Sequence, residues 1–382
     1  MQHLHLGGPV AGAALLCCIA AGCGDGGSRP ADAVDAVDAV PDAPADTEPA
    51  DTAPVDEFAA LVARYDLLST LAGRGEDRVD GVDDWVPAFE GGPATAAELS
   101  RPHIAMADPA GNVYIADKNA NAVRRVTPDG VITTAAGAGG AGDDGDLPGP
   151  GATRRLSGPN GLWVRPDGVV YVLDTGNSKV RRLATDGTLT TLVYDAEGIA
   201  IGRGLWISDD ERLAYWASDT RVRRWRAGVG IDSYASGFSS LGNLVVDPGG
   251  ALVVTDRGAN RVYRVDDAGG LTLMAGNGTD HGGGAGQPAV DTGLEGVRGV
   301  FFVDTGGYLL ATHEGCQVWY VDTAGLIHLF LDGGPGSHGG DGLFFQNPGE
   351  KIAEARAVTV APNGDVLVTE SDYGFIRRIR RR

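Results

Sequence analysis

Residues 107–117 of this chain read ADPAGNVYIAD, and related phrases return at 164–174 (VRPDGVVYVLD), 246–256 (VDPGGALVVTD) and 360–370 (VAPNGDVLVTE). Each phrase has two β-rich runs around a Pro, Asp or Gly turn, which is the sequence pattern of a β-hairpin. A single hairpin cannot bury both of its faces, so the recurrence predicts a repeat architecture. The same unit repeated around an axis gives a β-propeller.

The number of repeats indicates six blades. Two degenerate copies, at 204–219 and 299–312, join the four clear ones. A third strand follows each copy, and a fourth strand follows most of them, as at 130–137 and 270–276. We therefore predict an all-β fold, a six-bladed β-propeller. The third strands lie at 123–126, 180–183, 222–225, 262–265, 318–321 and 376–379.

The last copy has no fourth strand of its own, because the sequence ends at Arg382. Residues 66–73, DLLSTLAG, resemble the fourth strand of the first blade at 131–137, VITTAAG. We predict that this N-terminal strand completes the sixth blade. Such closure would remove an open sheet edge and hold a chain terminus in place.

Most third strands carry two adjacent arginines, as at Arg124 and Arg125. These arginines do not alternate cleanly with apolar residues. We therefore expect a half-exposed strand in which the arginine stems lie along the surface and the charged ends reach water.

The blades resemble the NHL-repeat family of six-bladed β-propellers. The resemblance is carried by residues 91–102 (GGPATAAELSRP), 111–117 (GNVYIAD), 121–126 (NAVRRV) and 131–137 (VITTAAG), and it covers roughly 66–382. It implies the fold and little about chemistry, because this fold hosts binding scaffolds, sensor domains and some enzymes.

The chain is strongly acidic, with a formal net charge of −20 at pH 7. Residues 24–57 alone contain ten Asp or Glu and one Arg. Because phosphate backbones are bound by basic surfaces, this balance argues against a nucleic-acid partner.

The N-terminus has the features of an export signal. Residues 9–22 are small and apolar, with the length of a signal-peptide core and too few residues to span a bilayer. They lead into IAAGC at 19–23, which resembles a bacterial lipobox with Cys23 as the acylated residue. We predict a signal peptide at 1–22 and an exported, membrane-anchored lipoprotein; an ordinary cleaved signal is the alternative. Gly24 after the cysteine resembles sorting to the outer membrane or cell surface.

Residues 23–56 are predicted to be a disordered linker. They contain DAVDAVDAV at 32–40, continue in Pro-, Asp- and Ala-rich sequence, and include no aromatic residue. Such a segment cannot bury a core and is kept extended by proline and charge repulsion. The propeller domain is predicted at 57–382. Within it Cys316 is expected to be a small packing residue.

The start of each innermost strand faces the central channel of a propeller. Aligning the repeats places His103, Asn160, Arg203, Arg298 and Arg356 at this position, with glycine in the fourth blade. Guanidinium groups pair with carboxylates and phosphates. We predict a binding site for a small anion at this channel mouth; the alternative is that each arginine pairs with a nearby acid or carbonyl.

The inter-blade loops are a second candidate region. Residues 139–146, 280–284 and 337–341 are rich in Gly and Asp, and loop carboxylates are typical calcium ligands. His281 and His338 occupy similar places in successive loops, where a zinc or copper site is conceivable. We expect plain connectors and solvated histidines, and no cofactor, with calcium or another divalent metal as the alternative.

Taken together, the sequence favours an anchored binding module with no catalysis of its own. The expected partner is an envelope protein, a peptide or a glycan, and the expected contact with the membrane is through the lipid alone. The alternative is a metal-dependent enzyme, because some propellers resembling this one are lactonases or lyases acting on peptide-derived substrates. A purely structural envelope protein is a third hypothesis.

Overall fold

We describe a computed structural model of the chain, which covers residues 56–75, 83–201 and 203–382. The predicted signal peptide at 1–22, Cys23 and residues 23–55 of the predicted linker lie outside these ranges. Within them the chain forms a short helix, α1, at Glu57–Val62 and twenty-five β-strands. No helix among these residues has the length and hydropathy required to cross a bilayer.

The strands follow one another as antiparallel hairpins. In chain order they are β1 Tyr65–Ala72, β2 Pro102–Ala107, β3 Val113–Asp117, β4 Ala122–Val126, β5 Ile132–Ala136, β6 Gly149–Pro150, β7 Pro159–Val164, β8 Val170–Asp174, β9 Lys179–Leu183, β10 Thr188–Tyr194, β11 Leu205–Ile207, β12 Leu213–Ser218, β13 Arg221–Arg226, β14 Gly230–Ser236, β15 Leu241–Val246, β16 Leu252–Asp256, β17 Arg261–Val265, β18 Leu271–Ala275, β19 Val297–Phe302, β20 Tyr308–Thr312, β21 Gln317–Val321, β22 Ile327–Leu331, β23 Ala357–Val360, β24 Val366–Glu370 and β25 Phe375–Arg381. Short 3₁₀ turns lie at Pro87–Phe89, Ala94–Ala96, Gly151–Thr153, Thr175–Asn177 and Ala289–Asp291.

These strands form six sheets, which confirms the predicted six-bladed propeller. Blade 1 is β2–β5, blade 2 is β7–β10 with the short β6 added at its outer edge, blade 3 is β11–β14, blade 4 is β15–β18 and blade 5 is β19–β22. Blade 6 is β23, β24 and β25, with β1 as its outer strand. The innermost strand of each blade contacts the innermost strands of both neighbours, so the ring is closed around a central axis.

Blade 6 is closed by the N-terminal strand, as predicted. Strand β1 pairs antiparallel with β25, with Leu68 opposite Ile379 and Tyr65 opposite Arg381. Leu68 is fully buried between this sheet and the neighbouring core. The pairing removes the edge that β25 would otherwise present to solvent.

Helix α1 joins this closing strand to blade 5. Asp56 caps the helix by accepting a hydrogen bond from the backbone N–H of Ala59. The ring of Phe58 stacks on His328 of β22, with centroids 4.7 Å apart. The same short segment therefore contacts blade 5 through its helix and completes blade 6 through its strand.

The arginines of the third strands differ from the sequence expectation. The first arginine of each pair is buried, and only the second is half-exposed. Arg124 Nε lies 3.1 Å from Asp117, and Arg223 pairs through two hydrogen bonds with Asp195. The expectation of surface-lying stems is therefore wrong for these residues. Arg124, Arg223 and Arg377 each meet a buried carboxylate that offsets the cost of removing the charge from water, whereas Arg181 has the exposed Asp143 at 3.7 Å. The buried set is Arg124, Arg181, Arg223 and Arg377.

The repeated acid at the end of the second strand orders the connection between blades. Asp117 accepts a hydrogen bond from the backbone N–H of Ser100, and Asp174 accepts one from Ser157. Asp256 and Glu370 bind the equivalent backbone of their own blades. The inner strands of blades 1, 2, 4 and 6 are thereby held at a fixed height where they enter the channel.

Apolar side chains fill the channel at the end where the inner strands finish. Trp163 packs against three separate hydrophobic clusters of the propeller, and its ring centroid lies 6.1 Å from that of Trp206. The polar end of the channel, where the inner strands begin, is therefore the end at which a solute can enter.

Candidate functional site

The five predicted channel residues occupy equivalent places in the ring. In each blade they lie two residues before the same register point of the inner strand, which is Ala105 in blade 1 and Val300 in blade 5. His103, Arg203, Arg298 and Arg356 line one cavity of about 220 Å³. The fifth, Asn160, is buried in the adjacent blade.

Gly242 holds the equivalent position in blade 4 for a steric reason. A Cβ atom there would lie 2.3 Å from the Thr255 hydroxyl and 2.7 Å from the backbone oxygen of Arg298. The inner strands of blades 4 and 5 approach so closely that no side chain fits. Blade 4 therefore contributes no side chain at this position, and residues of other blades line the cavity.

Several buried polar atoms at the channel mouth have no hydrogen-bond partner among the described residues. They include both ring nitrogens of His103, Oδ1 of Asn160, Nε of Arg298, and Nε and Nη1 of Arg203. Buried polar atoms in native proteins are nearly always bonded, so such a cluster indicates a place for a ligand or for ordered water.

Sequence reasoning missed the acidic side of the cavity. Its members are His313, Glu314, Glu354 and Asp372. His313 Nε2 lies 2.5 Å from a Glu354 oxygen and 3.3 Å from Asp372, and Nδ1 lies 3.2 Å from Glu314. Burial on its own would lower the pKa of His313, but its hydrogen bonds to these carboxylates outweigh burial and raise that pKa to about 9.

Arg356 belongs to this acidic cluster as much as to the cavity. Its Nε lies 2.9 Å from Glu354 and its Nη2 lies 3.0 Å from Asp372. Nη2 also lies 2.7 Å from His313 Nε2. Only one of these two nitrogens can point a hydrogen atom at the other. The surrounding carboxylates favour the proton on the imidazole, so that Arg356 donates to the acids and not to the histidine.

Arg203 and Arg298 have fewer acidic neighbours than Arg356. Burial, followed by the like charges of Arg298 and Arg356, lowers the pKa of Arg203 to about 8. Burial and the positive charge of Arg356 lower the pKa of Arg298 to about 10, although Arg298 forms one ion pair with Glu314 at 2.8 Å. The positive charges at this mouth are thus held close together with too few acids to balance them.

His103 is neutral in this environment. Its pKa is well below the usual value because the ring is buried and because Arg356, Arg203 and Lys118 are positively charged; the side chain of Asn160 opposes the shift only weakly. A neutral imidazole offers one donor and one acceptor, which suits a polar ligand that carries a hydroxyl or carboxyl group.

Arg101 reaches the same cavity from a left-handed backbone conformation, with φ of 62°. Gly158 and Gly296 have similar backbone angles at the equivalent points of blades 2 and 5. A non-glycine residue here costs about 1–2 kcal/mol in conformational energy. Its side chain pairs with Asp372, with Arg101 Nε 3.1 Å from the carboxylate.

The arrangement is suited to binding an anion. Counting Arg101, Lys118, Arg203, Arg298, Arg356 and the protonated His313, six cationic groups meet three carboxylates, which are Glu314, Glu354 and Asp372. An anion in the cavity would accept the hydrogen bonds that Arg203 and Arg298 now lack. In a half-buried site such charge-assisted bonds are stronger than in water.

One group of side chains has the geometry of a metal site. His313, Glu354 and Asp372 offer ligand atoms within 4.8 Å of one another, the one such group of three among the described residues. Their chemistry fits a metal poorly, because His313 is protonated and Arg356 already bonds both carboxylates. A divalent cation would have to displace a proton and approach a guanidinium group.

The predicted loop sites contain paired charges. Asp143 and Asp146 bond Lys179 Nζ at 2.7 and 2.8 Å, and Asp144 bonds Arg155. His281 lies against Asp280, and His338 stacks on Phe375 at a centroid distance of 3.7 Å. Neither histidine belongs to the group of potential metal ligands. Cys316 is buried, and burial raises the pKa of its thiol to about 11.

Comparison with known proteins supports the fold. No protein-family model and no curated protein sequence matches the chain. Among solved structures, it is similar to a structural-genomics protein of unknown function from Bacteroides thetaiotaomicron, with a TM-score of 0.65 at 13% identity over 82% of this chain and 75% of that one. It is also similar to an auxiliary nutrient binding protein from Bacteroides ovatus, with a TM-score of 0.61 at 13% identity over 83% and 77%.

An enzyme is found among the similar structures as well. A gluconolactonase from Xanthomonas campestris has a TM-score of 0.55 at 14% identity over 85% of this chain and 93% of that one. At these identities the likeness extends to the propeller fold alone. Binding proteins and enzymes share the architecture, so function must be argued from the residues of the channel.

Proposed function

We propose that this chain is an exported lipoprotein, anchored through Cys23, whose propeller binds a small anionic ligand at the polar mouth of its channel. The ligand carries a carboxylate, as a free small acid, an acidic sugar, or the acidic end of an envelope peptide or glycan. A linker at 23–56 holds the propeller domain at 57–382 away from the bilayer at the outer membrane or cell surface.

One observation supports the binding function above the others. Arg203 lines the cavity, two of its guanidinium nitrogens are buried without a partner, and burial and like charges lower its pKa. The structural arginines Arg124 and Arg223 are paired with buried carboxylates. Arg181 also has two unpaired nitrogens, but it does not line this cavity. An unpaired cationic group beside a cavity is expected where a ligand supplies the missing acceptor.

The size of the cavity limits the ligand. About 220 Å³ lies below the range of roughly 300–1,000 Å³ that is typical for drug-sized molecules. The bound part is therefore a single small group, and the rest of a larger ligand would extend into solvent from the open end of the channel.

The test is isothermal titration calorimetry of the purified full-length protein with acetate, malonate and citrate at constant ionic strength. We expect at least one of these carboxylates to bind, and Arg203→Met to weaken that binding by about tenfold to a hundredfold, the value of one charge-assisted hydrogen bond. Arg226→Met is the matched control, because Arg226 is an exposed arginine on the outer part of blade 3. Equal affinity in all three proteins would remove the proposal.

A metal-dependent enzyme of the lactonase or lyase type is the second hypothesis. The proximity of His313, Glu354 and Asp372 supports it, whereas the proton on His313 and the bonds of Arg356 to both carboxylates oppose it. It requires a metal that stays bound through purification. Elemental analysis of the full-length protein by plasma mass spectrometry decides between the two: a stoichiometric divalent metal that is lost in His313→Gln supports the enzyme hypothesis.

A further inference from the structure

A second cavity, of about 360 Å³, lies between blades 6 and 1 at the opposite end of the strands from the anion site. It is bordered by the turns at 108–111, 127–130 and 361–363, which follow the first and third strands of their blades. Its floor contains Leu71, Val113 and Leu367. None of the functions derived above uses it.

One position in the second strand of each blade borders the space between neighbouring blades. Tyr114, Tyr171 and Tyr215 hold it in blades 1 to 3, where each pairs with the inner strand on one side and with the second arginine of the third strand on the other. Blades 4, 5 and 6 carry an aliphatic residue there, which is Val253, Leu309 and Leu367 respectively. Each tyrosine packs against the next blade around the ring. Leu367 likewise packs against blade 1.

Leu367 therefore lies where blades 1 to 3 place a phenol ring, as Val253 and Leu309 do in blades 4 and 5. Leu367 is 2% exposed, so its side chain is already packed against its neighbours. This side chain is too short to fill the cavity. The interface between blades 6 and 1 contains a gap where the interface between blades 2 and 3 contains the ring of Tyr171.

The tyrosine of blade 2 belongs to a hydrogen-bond network with an arginine, and blade 6 has the equivalent arginine. In blade 2, the hydroxyl of Tyr171 accepts from Arg165 at 3.0 Å and donates to Glu211, which also accepts from Arg182 Nε at 2.9 Å. Arg378 is the blade 6 equivalent of Arg182, and it lines the cavity.

Arg378 has no such acceptor. Its Nε is buried without a hydrogen-bond partner, as is that of Arg125, the equivalent in blade 1, because the facing turns carry Gly111 and Gly168 where blade 3 offers Glu211. Two carboxylates of the lining are already bonded: Asp108 accepts from Asn112, and Asp365 accepts from Asn363. The cavity thus combines an apolar floor with one donor that has no acceptor.

We propose that this cavity is a binding site for a small phenolic ligand. The aromatic ring would lie on Leu367 and Val113 in the place that a tyrosine takes between other blades. The phenol oxygen would accept a hydrogen bond from Arg378 Nε. The volume, at the lower end of the range for small-molecule sites, accommodates a single substituted ring.

The test uses the purified full-length protein and 4-methylphenol, with toluene as the analogue that lacks the oxygen. Saturable binding of 4-methylphenol is expected by calorimetry, and toluene is expected to bind about tenfold or more weakly because Arg378 Nε stays unpaired. Leu367→Tyr fills the cavity from within and should reduce 4-methylphenol binding at least about tenfold. Leu367→Met conserves volume and should change it less than about threefold.

Arg378→Met should bring the affinities for 4-methylphenol and toluene to within about threefold of each other. All three variants are expected to show the near-ultraviolet circular dichroism and the cooperative thermal unfolding of the unsubstituted protein, which verifies that each is folded independently of the anion site. If Leu367→Tyr does not fold, the site can be located directly in crystals of the unsubstituted protein soaked in 4-bromophenol. No saturable binding, equal binding in a folded Leu367→Tyr variant, or no anomalous bromine signal between blades 6 and 1 would each overturn the proposal.

Discussion

Arg203 and Arg223 show how the same residue type serves two purposes in one propeller. Arg223 is buried and bonds Asp195 through two nitrogens, whereas Arg203 lines the channel cavity with two buried nitrogens unpaired. The first arrangement stabilises the packing of neighbouring blades. The second costs stability, because a charge removed from water is poorly compensated, and the proposed anionic ligand would supply the missing acceptor.

His313 should make stability depend on pH in a defined window. Its pKa is raised from 6.5 to about 9 in the folded protein, so its contribution is fully present below about pH 6.5 and is lost as pH rises through about 9. The contribution is at most about 3 kcal/mol. Urea unfolding at pH 6 and pH 9.5 measures it.

In His313→Gln the decrease in unfolding free energy between these two pH values should be smaller than in the unsubstituted protein. His281→Gln is the control, since His281 is an exposed loop residue. If both variants lose the same stability between pH 6 and pH 9.5 as the unsubstituted protein, His313 is not the protonated centre described here.

At the residue scale, positions could be assigned from sequence where the repeat recurs. The inner strand recurs in every blade, and the alignment placed five residues at equivalent points of it, which are His103, Asn160, Arg203, Arg298 and Arg356. The acidic members of the site were missed because the alignment was read only at the start of the inner strand. Glu314 and Asp372 each lie two residues beyond the second strand of their blade, and Glu354 precedes the inner strand of blade 6. Reading one residue beyond the second strand would have found Lys118 and His313, which both line the cavity.

Strand β1 is the element on which closure of the ring depends. Leu68 is fully buried opposite Ile379, so that Leu68→Ala should lower the unfolding free energy by about 2–5 kcal/mol. Hydrogen exchange should also become faster in β25, since this strand would lose its partner more often. Ser69→Ala, on the half-buried face of the same strand, is expected to cost less than about 1 kcal/mol.

Equal losses of stability in Leu68→Ala and Ser69→Ala would contradict this account of closure.

The closing strand was predicted because its sequence matches a fourth strand, whereas the contact between α1 and blade 5 was not predicted. That contact depends on Phe58 meeting His328, two residues with no sequence relation to each other. Long-range side-chain packing of this kind leaves no local pattern.

The third strands illustrate a second limit of sequence reasoning at the element scale. Adjacent arginines indicated an exposed strand, yet the first arginine of each pair is buried. The partner acids explain the difference. Asp195 lies in the loop that leads to the next blade, and the alignment of repeats assigned it no role. Charge pairing across blades becomes visible only when the ring is assembled.

At the scale of the whole molecule, the propeller presents two different ends. One end of the channel is cationic and open, and the other is filled by Trp163 and its neighbours. If the chain is anchored as proposed, it can take up a ligand only from the side that this mouth faces.

The anchor can be tested by fractionation of a bacterial host that acylates lipoproteins. We expect the unsubstituted protein to be found with the membranes and labelled by radioactive palmitate, and Cys23→Ser to be soluble and unlabelled. Cys17→Ser is the matched control, because Cys17 lies within the predicted signal and should not affect either result. Retention and labelling of the Cys23→Ser protein would show that the anchor is elsewhere.

The most direct test of an anion site at the channel mouth is the melting temperature of Arg203→Met with and without malonate, measured by calorimetry. Without ligand, the variant should melt at the same or a higher temperature than the unsubstituted protein, because a poorly compensated charge has been removed. Malonate should raise the melting temperature of the unsubstituted protein and leave the variant unchanged. A lower melting temperature without ligand, or an equal increase with malonate in both proteins, would contradict the account.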